Sequence, residues 1–107
     1  MKGDDKSAIE HFSKSIELNP NNPMTYHQRG IAYYNLGNYQ KALNDFNKTI
    51  ELDSKYIDAY GNRSLVKIEL KEYKGALEDI EEILKIAPDY PKAIEQKEMI
   101  LKLMKQK

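Results

Sequence analysis

The 107-residue sequence predicts an all-α fold of about six helices, built from a repeated helical pair, and three observations predict it. Tyrosines recur 34 residues apart: Tyr26 with Tyr60, Tyr39 with Tyr73, Tyr56 with Tyr90. Apolar residues inside each period keep helical spacing, as in Ala8, Ile9, Phe12 and Ile16, then Ala42, Leu43, Phe46 and Ile50, then Ala76, Leu77, Ile80 and Leu84. Breaking residues fall between these runs, and all four prolines lie on the same grid, Pro20 with Pro88 and Pro23 with Pro91. No strand is expected.

The elements follow in order. The first helix is expected near 5–18, carried by the Ala8/Ile9/Phe12/Ile16 stripe, with Gly3-Asp4 before it in the phase of Gly37-Asn38. Asn22-Pro23 reads as a cap followed by proline at the first helical position, opening a helix over 23–36 with Tyr26, Ile31, Tyr33, Tyr34 and Leu36. Gly37 stops that helix and Asn38 caps the next, over 39–52. Tyr60, Leu65, Val66, Ile68 and Leu70 place a helix over 57–70, and the Ala76 stripe places one over 73–86. Ala87-Pro88-Asp89-Tyr90-Pro91 is the break before a last helix over 91–105. Aligning 23–56 with 57–90 leaves eight identities, among them Arg29/63, Leu36/70, Ala42/76, Leu43/77 and Asp45/79.

A helix–turn–helix period of 34 residues is the tetratricopeptide spacing, and the chain resembles that family along essentially its whole length. Tyr26 and Tyr60 stand at its first large aromatic position and Gly30 at its small position; Tyr33, Tyr39/73, Ala42/76, Phe46 and Pro20/88 match further. Ser64 in the phase of Gly30, Ser54 where proline is usual, and Thr49 and Ile83 where alanine is usual depart from the pattern. The resemblance implies a right-handed α-solenoid of antiparallel helix pairs that binds other proteins. Independently of the family, Gly30 or Ser64 facing Ala42 or Ala76 would let two helix axes approach closely, with Tyr26 and Phe46 filling the space alongside.

The grid reads 1–22 as the second helix of a partial repeat, 23–56 and 57–90 as full repeats, and 91–107 as a C-terminal capping helix. Met1 then sits where a preceding helix should be ending, which suggests a piece of a longer array. A self-associating module is the competing expectation: a second chain would cover Ala8 and Phe12, and Ile94 and Leu101 lie where a partner to the last helix would pack. Lys97 and Glu98 in the phases of Arg63 and Ser64 instead suit a polar cap that ends an array.

Composition narrows the partners. Seventeen Lys+Arg balance 17 Asp+Glu, which removes the electrostatic case for nucleic acid or an anionic membrane. With no cysteine there is no disulfide, thiolate metal site or cysteine nucleophile. No apolar run approaches the roughly 20 residues of a membrane span, and the N-terminus is not that of a signal peptide, so the cytosol is the default location. His11 and His27 lack metal-ligand spacing, and Ser7, Ser13, Ser15, Ser54 and Ser64 sit in no nucleophile motif. Glu78-Asp79-Ile80-Glu81-Glu82 reads as a solvated helix face balanced by Lys74 and Lys85. Neither an enzyme nor a cofactor or metal site is expected.

What remains is binding of a protein or peptide. First-in-repeat helices of such arrays line the concave surface. Residues outside the core stripe of 23–36 are Met24, His27, Gln28, Ile31, Tyr34 and Asn35; on the next helix they include Asp58, Asn62, Leu65, Ile68 and Glu69, and on the last Lys92, Gln96 and Met99. Ile31, Leu65 and Met99 share one phase, Tyr34 and Ile68 another, which makes an apolar strip with a polar border. The segments around Asn62, Ala76-Leu77-Glu78-Asp79 and Lys92 also look like chaperone-adaptor members of the family, whose carboxylate clamp grips the acidic C-terminal tail of Hsp70 or Hsp90. Asn62 and Lys92 match two clamp residues, whereas His27, Ile31 and Gln96 replace a lysine, an asparagine and a basic residue.

Overall fold

The computed structural model describes residues 2–106, and among them it contains six α-helices and no strand: α1 (Lys2–Leu18), α2 (Pro23–Asn35), α3 (Tyr39–Leu52), α4 (Ile57–Glu69), α5 (Tyr73–Ile86) and α6 (Pro91–Lys105). Five helices fall within one residue of expectation. α1 differs: Gly3 and Asp4 are helical, so this position is not the break that Gly37 and Asn38 make. Met1, read as the end of a preceding helix, lies outside the described residues. Residues up to Ala59 form one compact unit and those from Tyr60 onward a second, so α4 begins in the first and continues in the second.

In the first unit, α2 runs antiparallel to α3, because contacts move down one helix as they move up the other. Tyr33 meets Lys41, Arg29 meets Asp45, and the Pro23 carbonyl meets the Thr49 hydroxyl. α1 pairs with α2 in the same sense, through Asp5–Asn35 and Ser13–Arg29. Ala42, Phe46 and Thr49 of α3 are sealed completely, with Tyr26 and Ala32 of α2 and Ala59 closing the core. Burying Phe46 alone stabilises the unit by about 2–3 kcal/mol. A Cβ on Gly30 would lie 2.7 Å from Cε1 and 2.9 Å from Cδ1 of Phe46, so glycine is required there by the ring packed against it. The close approach at Gly30 therefore accommodates the large Phe46, where the sequence pointed to Ala42. The Tyr26 hydroxyl donates to the Pro20 carbonyl at 2.9 Å and ties the α1–α2 turn to the core.

The second unit repeats the antiparallel pairing between α4 and α5: Arg63 meets Asp79, Lys67 lies over Gly75, and the Ser64 hydroxyl donates to the Ala76 carbonyl at 3.0 Å. Its core is Tyr60, Val66, Ala76, Ile80 and Ile83, extended onto α6 by Ala93 and Ile100.

The helix ends explain themselves locally. Asn22 accepts from the Met24 amide at 3.0 Å and Asn38 from the Lys41 amide at 3.5 Å, each filling an orphan donor of its helix. At the end of α2, the Gly37 amide donates to Tyr34 and the Asn38 amide to Tyr33, a closure that needs the left-handed φ of +80° at Gly37. The end of α4 closes identically, Lys71 to Ile68 and Glu72 to Lys67, but Lys71 must hold φ 62° with a side chain attached.

Candidate functional site

On α2, the residues expected to face a groove separate into two groups. Met24, Gln28 and Asn35 are exposed, as is Asp58 at the start of α4, and Ile31 and Tyr34 are half-buried. Tyr34 leans on Tyr39, ring centroids 5.7 Å apart, and keeps part of its surface open. His27 departs from the expectation. It is only 5% exposed, lying 5.7 Å from the Phe46 ring and 5.0 Å from Tyr56. Burial lowers its pKa below the ordinary 6.5, and the Asp58 charge and a backbone hydrogen bond oppose that shift. The Tyr56 phenol is pushed up, first by its own burial and then by Asp58 and Asp53. His27 is therefore a core aromatic rather than a cation offered to a ligand. Helical phase could not show this, because the phase of a residue does not say whether a loop tyrosine will lie over it.

In the second unit, Leu65 and Ile68 of α4 are half-buried, with Asn62 half-buried and Glu69 exposed. On α6, Lys92 is exposed, Gln96 half-buried, and Met99 is 41% exposed. Ile31 and Tyr34 in the first unit and Leu65 and Ile68 in the second thus sit at partial depth with polar residues flanking them, while Met24 and Met99 stand further out. Among the described residues there is no group of three or more His, Cys, Asp or Glu side chains that could hold a metal ion.

Sequence reasoning missed a pair of buried ionic centres. Arg29 donates to both carboxylate oxygens of Asp45, at 2.8 and 2.7 Å, and a third nitrogen reaches Ser13 Oγ at 3.1 Å. The hydrogen bond to Asp45 raises the Arg29 pKa despite desolvation. The guanidinium also lies 5.9 Å from the centroid of Tyr26 and 5.8 Å from that of Tyr33, and Lys41 covers Tyr33 at 5.5 Å. In the second unit Asp79 receives Arg63 through Nε and Nη2 and takes a second cation, Lys67, at 3.1 Å. Asp79, read as part of a solvated acidic face, is 2% exposed; its neighbours Glu81 and Glu82 do face solvent, near Lys97 and Lys85. The signal was present: opposite charges recur in the same two phases, 16 residues apart, in both repeats.

These ionic centres line the surface clefts. The larger, of about 810 Å³, lies in the second unit among Arg63, Lys67, Glu78, Leu84, Lys85 and Lys97 and shares no residue with the groove faces. Its best-placed cations, Arg63 and Lys67, already neutralise Asp79.

The residues expected at a self-association face also differ in depth. Ala8 and Phe12 are half-buried, whereas their counterparts Ala42, Phe46, Ala76 and Ile80 are sealed completely. Ile94 and Leu101 are 43% and 39% exposed.

Three family models match the chain: a TPR repeat over residues 2–37 and tetratricopeptide repeats over 23–56 and 57–90. No curated protein sequence matches it. Among solved structures, the first TPR of Spaghetti (RPAP3) bound to the HSP90 peptide SRMEEVD is similar, with a TM-score of 0.90 and 26% identity over 95% of this chain and 81% of that one. The Arabidopsis OM64 TPR domain gives 0.88 and 27%, over 94% and 83%. The second TPR domain of human RPAP3 in complex with the HSP70 peptide SGPTIEEVD gives 0.85 and 26%, over 92% and 82%. No helix among the described residues is long and apolar enough to cross a membrane.

Proposed function

Because this chain belongs to the tetratricopeptide repeat family, we propose that it is a non-catalytic interaction module that binds a peptide segment of a partner protein on the open helix faces of its units, that of α2 in the first and those of α4 and α6 in the second. The observation that carries this is the set of half-buried apolar side chains, Ile31 and Tyr34 in the first unit and Leu65 and Ile68 in the second, each bordered by polar residues. Half-buried apolar surface gains from being covered, at about 25 cal/mol per Å² removed from water. The polar border sets the register of whatever covers it. The peptide complexes of the two RPAP3 domains support the same use of the fold. Residues 1–22 are the second helix of an incomplete repeat in this reading, and 91–107 a capping helix.

The test is an unbiased pull-down with the wild-type chain and an Ile31→Glu/Leu65→Glu variant. Specific partners should be lost from the variant while its helical circular dichroism is retained; retention of every partner refutes the groove.

A second reading rests on the half-open Ala8 and Phe12. A second copy could cover them with the Ile94/Leu101 face of α6. Light scattering over a concentration series decides it, since a monomer at high concentration eliminates the assembly.

A further inference from the structure

On the premise that these helix faces bind peptide, we propose that the segment they take is uncharged and apolar, and not an acidic tail. The groove stripe of α2 carries no formal charge at Met24, Gln28, Ile31, Tyr34 and Asn35, and the one charged side chain of the helix, Arg29, is held by Asp45. The one titratable side chain of that stripe, His27, is enclosed by Phe46 and Tyr56 and brings no cation to the surface. Asp58, at the start of α4 in the first unit, is exposed and of the wrong sign for a carboxylate ligand. On the second unit's faces, Lys92 and Lys102 are offset by Glu69 and Glu95, all four exposed.

A carboxylate brought against the α2 stripe gives up its hydration and meets no cation, and on the second unit each lysine comes with a glutamate; recognition of acidic groups draws its strength from charge-assisted hydrogen bonds. An apolar segment faces the opposite balance. It buries Ile31 and Tyr34 on the first unit's face, or Leu65 and Ile68 on the second's, all already half withdrawn from water, and requires no ion to be desolvated. Gln28 on the first unit's face and Gln96 on the second's each offer a neutral donor and acceptor suited to a neutral peptide backbone.

The experiment selects a phage-displayed random dodecapeptide library on the wild-type chain, and then measures the enriched peptides and SRMEEVD by fluorescence anisotropy. Enriched peptides should be near neutral and rich in apolar residues. Their affinity should change by less than about 2-fold between low and high salt, because screening acts only on charge pairs. SRMEEVD should bind at least about 10-fold more weakly, the equivalent of one lost charge-assisted contact. Ile31→Lys should weaken the enriched peptides and narrow the gap to SRMEEVD. Met99→Glu, at an exposed position where folding is not at stake, should weaken them too. Enrichment of acidic peptides, or tight salt-sensitive binding of SRMEEVD, overturns this inference and leaves peptide binding intact. Neutral peptides that bind both variants undiminished overturn the placement of the site. A library from which nothing is enriched overturns the interaction module itself, and this inference with it.

Discussion

In α2–α3 the small residue is Gly30, the side chain packed against it is the ring of Phe46, and Tyr33 lies under Lys41. In α4–α5 the same phases hold Ser64, Ile80, Lys67 and Gly75. The cation has crossed from the second helix to the first: Lys41 reaches over a tyrosine, whereas Lys67 lays its methylenes over Gly75 and delivers its ammonium to Asp79. Each exchange is matched by another on the facing helix. What a repeat conserves is therefore the filled volume and the neutralised carboxylate, and single identities are replaceable when their partners change too.

The largest way to break the comparison is at its ionic centre. Asp79→Ala leaves Arg63 and Lys67 together in a partly buried site and should cost about 3–5 kcal/mol; Asp45→Ala strands Arg29 alone and should cost about 2–4 kcal/mol. Urea unfolding of both variants measures the difference, and equal losses would mean that Lys67 is not part of the centre.

The small positions come next. Gly30→Ala improves helix propensity but drives a Cβ into a fully buried ring, for a net cost of about 1–2 kcal/mol. Ala42→Leu, at a fully buried position of α3, should cost about 1–3 kcal/mol by overpacking. Ser64→Ala forfeits only the hydrogen bond to Ala76, at about 0.5–1.5 kcal/mol. A Gly30→Ala protein with an unchanged melting temperature would show that Phe46 moves aside freely.

A gain is expected at the turns. Lys71→Gly reproduces the Gly37 closure and relieves a left-handed lysine, stabilising by about 0.5–1 kcal/mol despite the freer unfolded chain. A lower midpoint in thermal unfolding would contradict the strain at φ 62°.

The smallest effect separates the repeats by pH. His27 has its pKa lowered by burial, and its counterpart in the second repeat is Gly61, which does not titrate. A lowered folded pKa means that the unfolded chain takes up the proton first. Stability is then complete above the unfolded value near 6.5 and declines as pH falls from there towards the folded value. His27→Phe, which keeps a ring between Phe46 and Tyr56, should flatten that part of the stability profile; an unaltered slope would assign it to other groups.

Much of the fold was legible because helical periodicity and a 34-residue recurrence are properties of the chain alone. Tyr26 and Tyr60 are buried as their recurrence suggested, and the other grid tyrosines, Tyr39, Tyr56, Tyr73 and Tyr90, are half-buried. The groove residues were legible only as a phase. A helical phase tells which side chains share a stripe, but depth depends on what another segment lays over that stripe. That is why His27 lies beneath Tyr56 while Gln28, one position on, stands in water.

By itself, then, the sequence determined six helices, their breaks and the pairing of neighbours, since capping residues, proline, glycine and apolar spacing act within a few residues of where they stand. Only the tertiary structure decided which charges are interior and which small residues are obligatory. Those properties arise from atoms 12 to 16 positions apart meeting at 2.5–3.1 Å, as Asp79 meets Arg63 and Ser64 meets Ala76, and no local rule measures such distances.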